Sequence, residues 1–190
     1  MNILVLNGSP RGEYSVTLQT VRYWEKRYPQ HTFEVLHVGA RIRAFDKDFT
    51  PALEAMEWAD AILFSYPVYT FIAPSQLHRF IQLMKLHNAP VAGKWCTQLS
   101  TSKHFYDVTA HKYIEENCRD MGMRYVRGLS ADMDDLLSEK GQKEARAFFD
   151  HVLWSVENGI CEAPSAEAYE CVHQEKGRAA RVKVMRQEPA

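Results

Sequence analysis

Between an apolar run at Asn2–Leu6 and the helical pattern beyond it stands the segment Asn7-Gly8-Ser9-Pro10-Arg11-Gly12-Glu13-Tyr14-Ser15-Val16-Thr17. Its residue types suit a phosphate dianion. Gly8 and Gly12 permit backbone conformations in which amide N–H groups converge on one point. Ser9, Ser15 and Thr17 add hydroxyl donors, and Ser15 is also placed to cap the helix that follows. Arg11 adds a permanent cation with a planar donor fork. The start of that helix contributes free N–H groups and the positive end of its dipole. Only Glu13 runs against an anion. The same residues also fit a capped turn with an incidental arginine, because Ser, Gly and Pro are ordinary turn residues.

Two further clusters stand at strand ends. Tyr66-Pro67-Val68-Tyr69-Thr70-Phe71 puts three aromatic rings into six positions, which serves either to wall a planar ligand or to plug a helix–sheet junction. Ser100-Thr101-Ser102 offers small hydroxyls at the end of another apolar strand. Lys103 and His104 beside them fit a solvated lysine and a capping histidine better than an anion site.

The elements that must position these residues alternate. Continuous or alternating apolar runs predict strands at Asn2–Leu6, Thr32–Val38, Asp60–Tyr66, Lys94–Ser100 and Met123–Leu129. Between them, Leu18, Val21 and Tyr28 mark a helical face closed by Pro29, and Ala52–Ala59 makes a short helix with Pro51 near its start. Leu77, Phe80, Ile81 and Met84 fall at i, i+3, i+4, i+7 after Pro74. Ala110, Ile114, Cys118 and Met121 stripe another helix that stops at Gly122, and Ala145 to Val156 gives the strongest stripe. Right-handed crossovers make this one α/β domain, residues 1–158, with a five-stranded parallel sheet covered by helices on both faces. Trp58, Trp95 and Trp154 read as core or junction residues. Residues 159–190 read as an irregular extension with a basic cluster at Lys176, Arg178, Arg181, Lys183 and Arg186. Within it Ala180–Met185 alternates like a strand.

Composition excludes several classes. The 190 residues are 46% hydrophobic and 25% charged with a net charge of −1, so no global field recruits nucleic acid or anionic lipid. No apolar run reaches the roughly 18 residues of a membrane span, and no basic, then apolar, leader opens the chain. Cys96, Cys118, Cys161 and Cys171 are too scattered for a disulfide framework, so a reducing, cytoplasmic setting is expected. Asp132, Asp134 and Asp135 lack the glycine and terminal glutamate of a calcium loop. His104, His111 and Cys118 are too loosely spaced for zinc.

Known phosphate loops can be tested against residues 7–17. Neither G-x-G-x-x-G nor G-x-x-x-x-G-K-[ST] is present. A receiver domain wants acidic residues after the first strand, and a cysteine-dependent phosphatase wants a cysteine there; both are missing. A flavin phosphate survives. The first loop, together with Tyr66-Pro67-Val68-Tyr69 and Ala73-Pro74-Ser75-Gln76-Leu77, resembles the NADPH-dependent FMN reductase group of the flavodoxin superfamily and its iron–sulfur flavoproteins, in element order over residues 1–158. The resemblance implies a flavodoxin-like sheet of order 2-1-3-4-5 and an FMN phosphate held by Ser9, Arg11, Ser15, Val16 and Thr17. It implies a flavin ring bordered by Tyr66, Pro67, Val68, Tyr69, Thr70 and Phe71, with Ser100, Thr101 and Ser102 at its polar edge or ribityl chain. Electrons would pass from NAD(P)H through bound FMN to a quinone, flavin or other small acceptor. An electron carrier without NAD(P)H activity is the alternative, and the near-neutral charge favours the enzyme. A homodimer or homotetramer is implied too. The compact cysteine cluster of the iron–sulfur members is missing, and His78 and Gln82 stand where the family usually has lysine and an acidic residue.

Overall fold

The apolar runs become inner strands of one sheet. In the computed structural model, which describes residues 1–102 and 106–162, the order is β1 (Asn2–Asn7), α1 (Val16–Arg27), β2 (Thr32–Leu36), α2 (Val38–Phe45), α3 (Thr50–Trp58), β3 (Ala61–Pro67), α4 (Ser75–Leu86), β4 (Trp95–Thr101), α5 (Val108–Asp120), β5 (Arg124–Tyr125), β6 (Leu129–Ala131) and α6 (Glu139–Glu157). All pairings are parallel in the order β2-β1-β3-β4-β5, with β6 also paired to β4. This is the flavodoxin-like order.

Side-chain alternation divides the core. Ile3, Val5, Leu63 and Leu99 face α1 and α6, whose Leu18, Val21, Trp24 and Phe149 close that layer. Leu4, Leu6, Ile62, Phe64, Tyr66 and Cys96 face α2 to α5, where Val38, Phe45, Leu77, Phe80 and Ile114 cover them. At about 25 cal/mol per Å² of apolar surface removed from water, this two-layer burial is the main stabilising term.

The structure departs from the sequence expectations in three places. The second strand ends at Leu36, and Val38 begins a helix that alternation alone does not announce. The expected fifth strand is broken into β5 and β6, because Gly128 lies against Gln98. A Cβ at Gly128 would stand 2.2 Å from Gln98 Cγ, so the chain bows around that side chain before rejoining β4. Trp154 and Trp58 are 49% and 37% exposed, and the fully buried tryptophan is Trp24, whose indole donates to the Ala145 carbonyl at 2.9 Å. Lys103, His104, Cys171, the basic cluster and the strand-like stretch of the extension lie outside the described residues. Just past α6, Glu162 N–H donates to the Tyr125 carbonyl at 2.8 Å.

Candidate functional site

Parallel strands end on the same side, and the loops after β1, β3 and β4 meet there. The first is braced from within. Asn7 donates its side-chain amide to the Gly12 carbonyl at 2.8 Å and to His37 Nδ1 at 3.1 Å, and its oxygen accepts the Ser9 N–H at 3.1 Å. Ser9 Oγ accepts the Arg11 N–H at 3.2 Å. Gly12 turns the chain at φ +57°, a conformation that favours glycine. The start of α2 packs against this loop so closely that a Cβ on Gly39 would stand 2.2 Å from the Gly8 carbonyl oxygen. The second and third loops are tied by Val68 N–H to Thr101 O at 2.9 Å, and Ser102 N–H reaches Ala131 O at 3.0 Å.

These loops enclose one cleft of about 780 Å³. It brings together Ser9, Arg11, Ser15, Val16 and Thr17 from the first loop, Pro67, Val68 and Tyr69 from the second, and Thr101 and Ser102 from the third. Met133, from the segment after β6, completes the lining and carried no sequence signal of its own. Ser15 stands at the N-cap of α1, as expected, yet its hydroxyl caps no N–H. Ser15 Oγ, Thr17 Oγ1 and Ser102 Oγ are all buried without a hydrogen-bond partner. Leaving a buried hydroxyl unpaired costs about 1–3 kcal/mol. Three such groups around one cleft, beside Arg11 and the first turn of α1, are a donor set for an anionic, oxygen-rich ligand.

Four of the expected residues are placed elsewhere. Tyr66 is fully buried on the α2–α5 face and donates to Gln98 Oε1, so its ring does not reach the cleft. Burial, with Tyr125, Asp107 and Cys118 nearby, raises its pKa well above 10.0. Ser100 is equally buried on that face; its Oγ donates to Asp107 Oδ2 at 2.7 Å and lies 2.8 Å from His111 Nε2, which stands 3.4 Å from Asp107 Oδ2. Burial pushes the Asp107 carboxyl up, but hydrogen bonds from Ser130 and Ser100 and the charge of His111 outweigh it and hold the pKa below 3.8. His111 is pushed below 6.5 by burial, against the pull of Asp107. Thr70 and Phe71 are not among the residues that line the cleft. His78 is not in the lining either; it stacks on Tyr113 with ring centroids 4.1 Å apart.

The model of the NADPH-dependent FMN reductase family matches residues 1–132, which include every lining residue of the cleft except Met133. The chain belongs to the NADPH-dependent FMN reductase family. Solved structures share its fold. An NADH:FMN oxidoreductase in its apo form superposes with a TM-score of 0.67 at 20% identity, over 86% of this chain and 92% of that one. An FMN-dependent NADH-azoreductase from Bacillus anthracis, in complex with FMN, gives 0.58 at 12% identity over 80% and 99%. A flavoenzyme NAD(P)H:acceptor oxidoreductase from Paracoccus denitrificans gives 0.58 at 17% over 80% and 96%. A search of curated protein sequences returned no match. Family membership makes this chain an NAD(P)H-dependent, FMN-containing oxidoreductase, and the cleft fits that cofactor. Its lining combines residues with orphaned hydroxyls, Ser15, Thr17 and Ser102, with Arg11 and with the apolar Pro67 and Val68. Among the described residues no helix is long and apolar enough to cross a membrane.

Proposed function

We propose that the chain passes electrons from a nicotinamide nucleotide to a small acceptor, a quinone, flavin or similar molecule, using FMN held in this cleft. The observation that carries the reading is that Ser15, Thr17 and Ser102, whose hydroxyls are buried and without a hydrogen-bond partner, all line one cleft together with Arg11. Ser9, Arg11, Ser15, Val16 and Thr17 hold the phosphate: the Ser15 and Thr17 hydroxyls and the guanidinium donate to its oxygens, Ser9 shapes the loop through the Arg11 N–H, and the backbone around Val16 adds N–H groups at the positive end of α1. Thr101 and Ser102 donate to the polyol chain and polar edge, and Pro67, Val68 and Tyr69 press on the ring. Bound FMN supplies hydride acceptance and electron transfer, chemistry that no side chain of the cleft performs. The protein contributes orientation and keeps one side open to small molecules, so no acid–base dyad is required. The 1–158 core is sufficient for this work, in a cytoplasmic homo-oligomer.

Anaerobic stopped-flow reduction of the FMN-loaded protein by NADPH and by NADH, followed by a panel of quinone, flavin and azo acceptors, tests the reading. Bleaching of the flavin within seconds and reoxidation by at least one organic acceptor are expected. Flavin that stays oxidised in the presence of both nucleotides overturns it in favour of a carrier.

A further inference from the structure

Strand β6 is three residues long, and among the described residues it pairs only with β4, Ser100 standing opposite Ser130 and Thr101 opposite Ala131. Leu99, Leu129 and Ala131 face the α1–α6 layer, so Ser100 and Ser130 share the other face, under α5. Both hydroxyls donate to the carboxylate of Asp107, Ser100 to Oδ2 at 2.7 Å. Asp107 is 5% exposed and stands at the N-cap of α5. An aspartate there ordinarily accepts from the first backbone N–H groups of its helix, yet this one caps none of them. Its oxygens go to two neighbouring strands instead. With the single Ser100 proton on Asp107, the serine oxygen is left to accept. His111, one turn along α5, fills that role, its Nε2 lying 2.8 Å from Ser100 Oγ. Gln98 Nε2 donates to the His111 carbonyl at 3.0 Å and ties the same turn of α5 to β4. Immediately beyond these bonds both strands run into the cleft. Thr101 and Ser102 follow Ser100 in its lining, and Met133 follows from β6. Ser102 N–H to Ala131 O, at 3.0 Å, carries the pairing one step further.

We infer that Asp107 is a positioning residue for the flavin: by joining Ser100 of β4 to Ser130 of β6, it sets where Thr101 and Ser102 meet the polyol chain and ring edge. The inference rests on the FMN reading of the cleft and adds to it a residue outside the lining. A carboxylate suits the task because its two oxygens accept several bonds at once. Bonds to an ionised acceptor are also stronger than those between neutral partners. A three-residue strand has few ladder bonds to hold its register, so the side-chain bridge supplies what β6 lacks. Donors fixed beforehand bind more tightly, because less freedom is lost when the ligand arrives. Ser100 therefore serves the cleft from the far side of the sheet, through its neighbours. The first loop has separate bracing through Asn7. Loss of the bridge thus disturbs the ring and polyol contacts and spares those to the phosphate.

Fluorescence titration of the full chain with FMN and with riboflavin tests this, for the parent, Asp107→Ala, Asp107→Asn and Ser130→Ala. Thermal melts of the ligand-free proteins accompany the titrations. Riboflavin has the ring and polyol without the phosphate, so a displaced third loop weakens both flavins by one common factor. For Asp107→Ala both Kd values rise about ten- to thirtyfold, and their ratio stays within about twofold of the parent's. Asp107→Asn keeps the shape and one accepting oxygen and recovers part of the loss. Ser130 is exposed, so Ser130→Ala folds even where the Asp107 variants do not, and it raises both Kd values about two- to fivefold. Unchanged Kd values in the variants that fold overturn the inference, whatever their Tm, because the bridge is then structural alone. A loss confined to FMN also overturns it, by assigning the effect to the phosphate loop. A parent chain that binds neither flavin overturns the FMN reading itself, and this inference with it.

Discussion

Thr17 is 1% exposed and its hydroxyl has no partner, which gives it two opposite energetic signatures. Without ligand the buried hydroxyl is a cost; with a phosphate it becomes a charge-assisted donor worth about 1.5–3 kcal/mol. Thr17→Val therefore leaves the ligand-free protein as stable or slightly more stable, while its Kd for FMN rises by about tenfold or more. Thermal melts of the ligand-free chain and flavin-fluorescence titration check the two halves. A variant that loses stability while keeping full FMN affinity contradicts the role given to Thr17. The types in this loop were legible in the sequence because glycine, hydroxyl and arginine chemistry does not depend on distant packing. The bracing was not legible. Asn7 holds the loop together through Gly12, Ser9 and His37, and His37 stands at the N-cap of a helix that the alternation of β2 gave no reason to expect.

At the scale of elements, strand periodicity explains which expected residues missed the cleft. In β3, Tyr66 shares the face of Ile62 and Phe64, and in β4, Ser100 shares that of Cys96 and Gln98. Both belong to the α2–α5 layer, so Thr101 and not Ser100 turns towards α1. A period of two applied from the first strand residue places Tyr66 in the core. Met133 was invisible because only the break between β5 and β6 around Gln98 sets where its segment returns. Two variants probe elements directly. Gly39→Ala forces a Cβ to within 2.2 Å of the Gly8 carbonyl, and because backbone cannot yield as a side chain does, it costs about 2 kcal/mol or more and weakens FMN binding together with stability. Chemical denaturation and FMN titration measure both, and a fully stable variant contradicts the packing of α2 on the loop. Thr70 and Phe71 have φ of +50° and +70° in the turn between Tyr69 and Ile72. Replacing them by Asn-Gly relieves the left-handed strain and raises the unfolding free energy by about 1–2 kcal/mol. The same denaturation series checks it; a loss of stability contradicts the strain assigned to the turn.

For the molecule as a whole, three histidines among the described residues carry lowered pKa values that bear on its response to acid. Burial lowers the pKa of His31, His78 and His111 below 6.5, with the N-terminal ammonium adding to the effect at His31 and with Ala73 and Asp107 opposing it at His78 and His111. The folded state thus binds fewer protons than the unfolded chain. Their contribution to stability is fully present above pH 6.5 and is lost as pH falls through the lowered values. Asp107, held below 3.8, extends the loss to stronger acid with the same sign. The expected Tm is nearly flat just above neutrality and declines below pH 6.5, and His111→Gln flattens the decline; a Tm that rises between pH 7 and pH 5 contradicts it. A parallel sheet follows from the alternation of strand and helix segments and right-handed crossovers, whereas its order was implied by the family resemblance of the loops.

The central claim is that the cleft after β1 recognises a phosphate. Comparing the Kd of FMN with that of riboflavin, which lacks only that phosphate, tests it most directly. The account predicts FMN binding at least about a hundredfold tighter, as several charge-assisted hydrogen bonds require, with the gap shrinking in Thr17→Val. Equal affinities for FMN and riboflavin would contradict it.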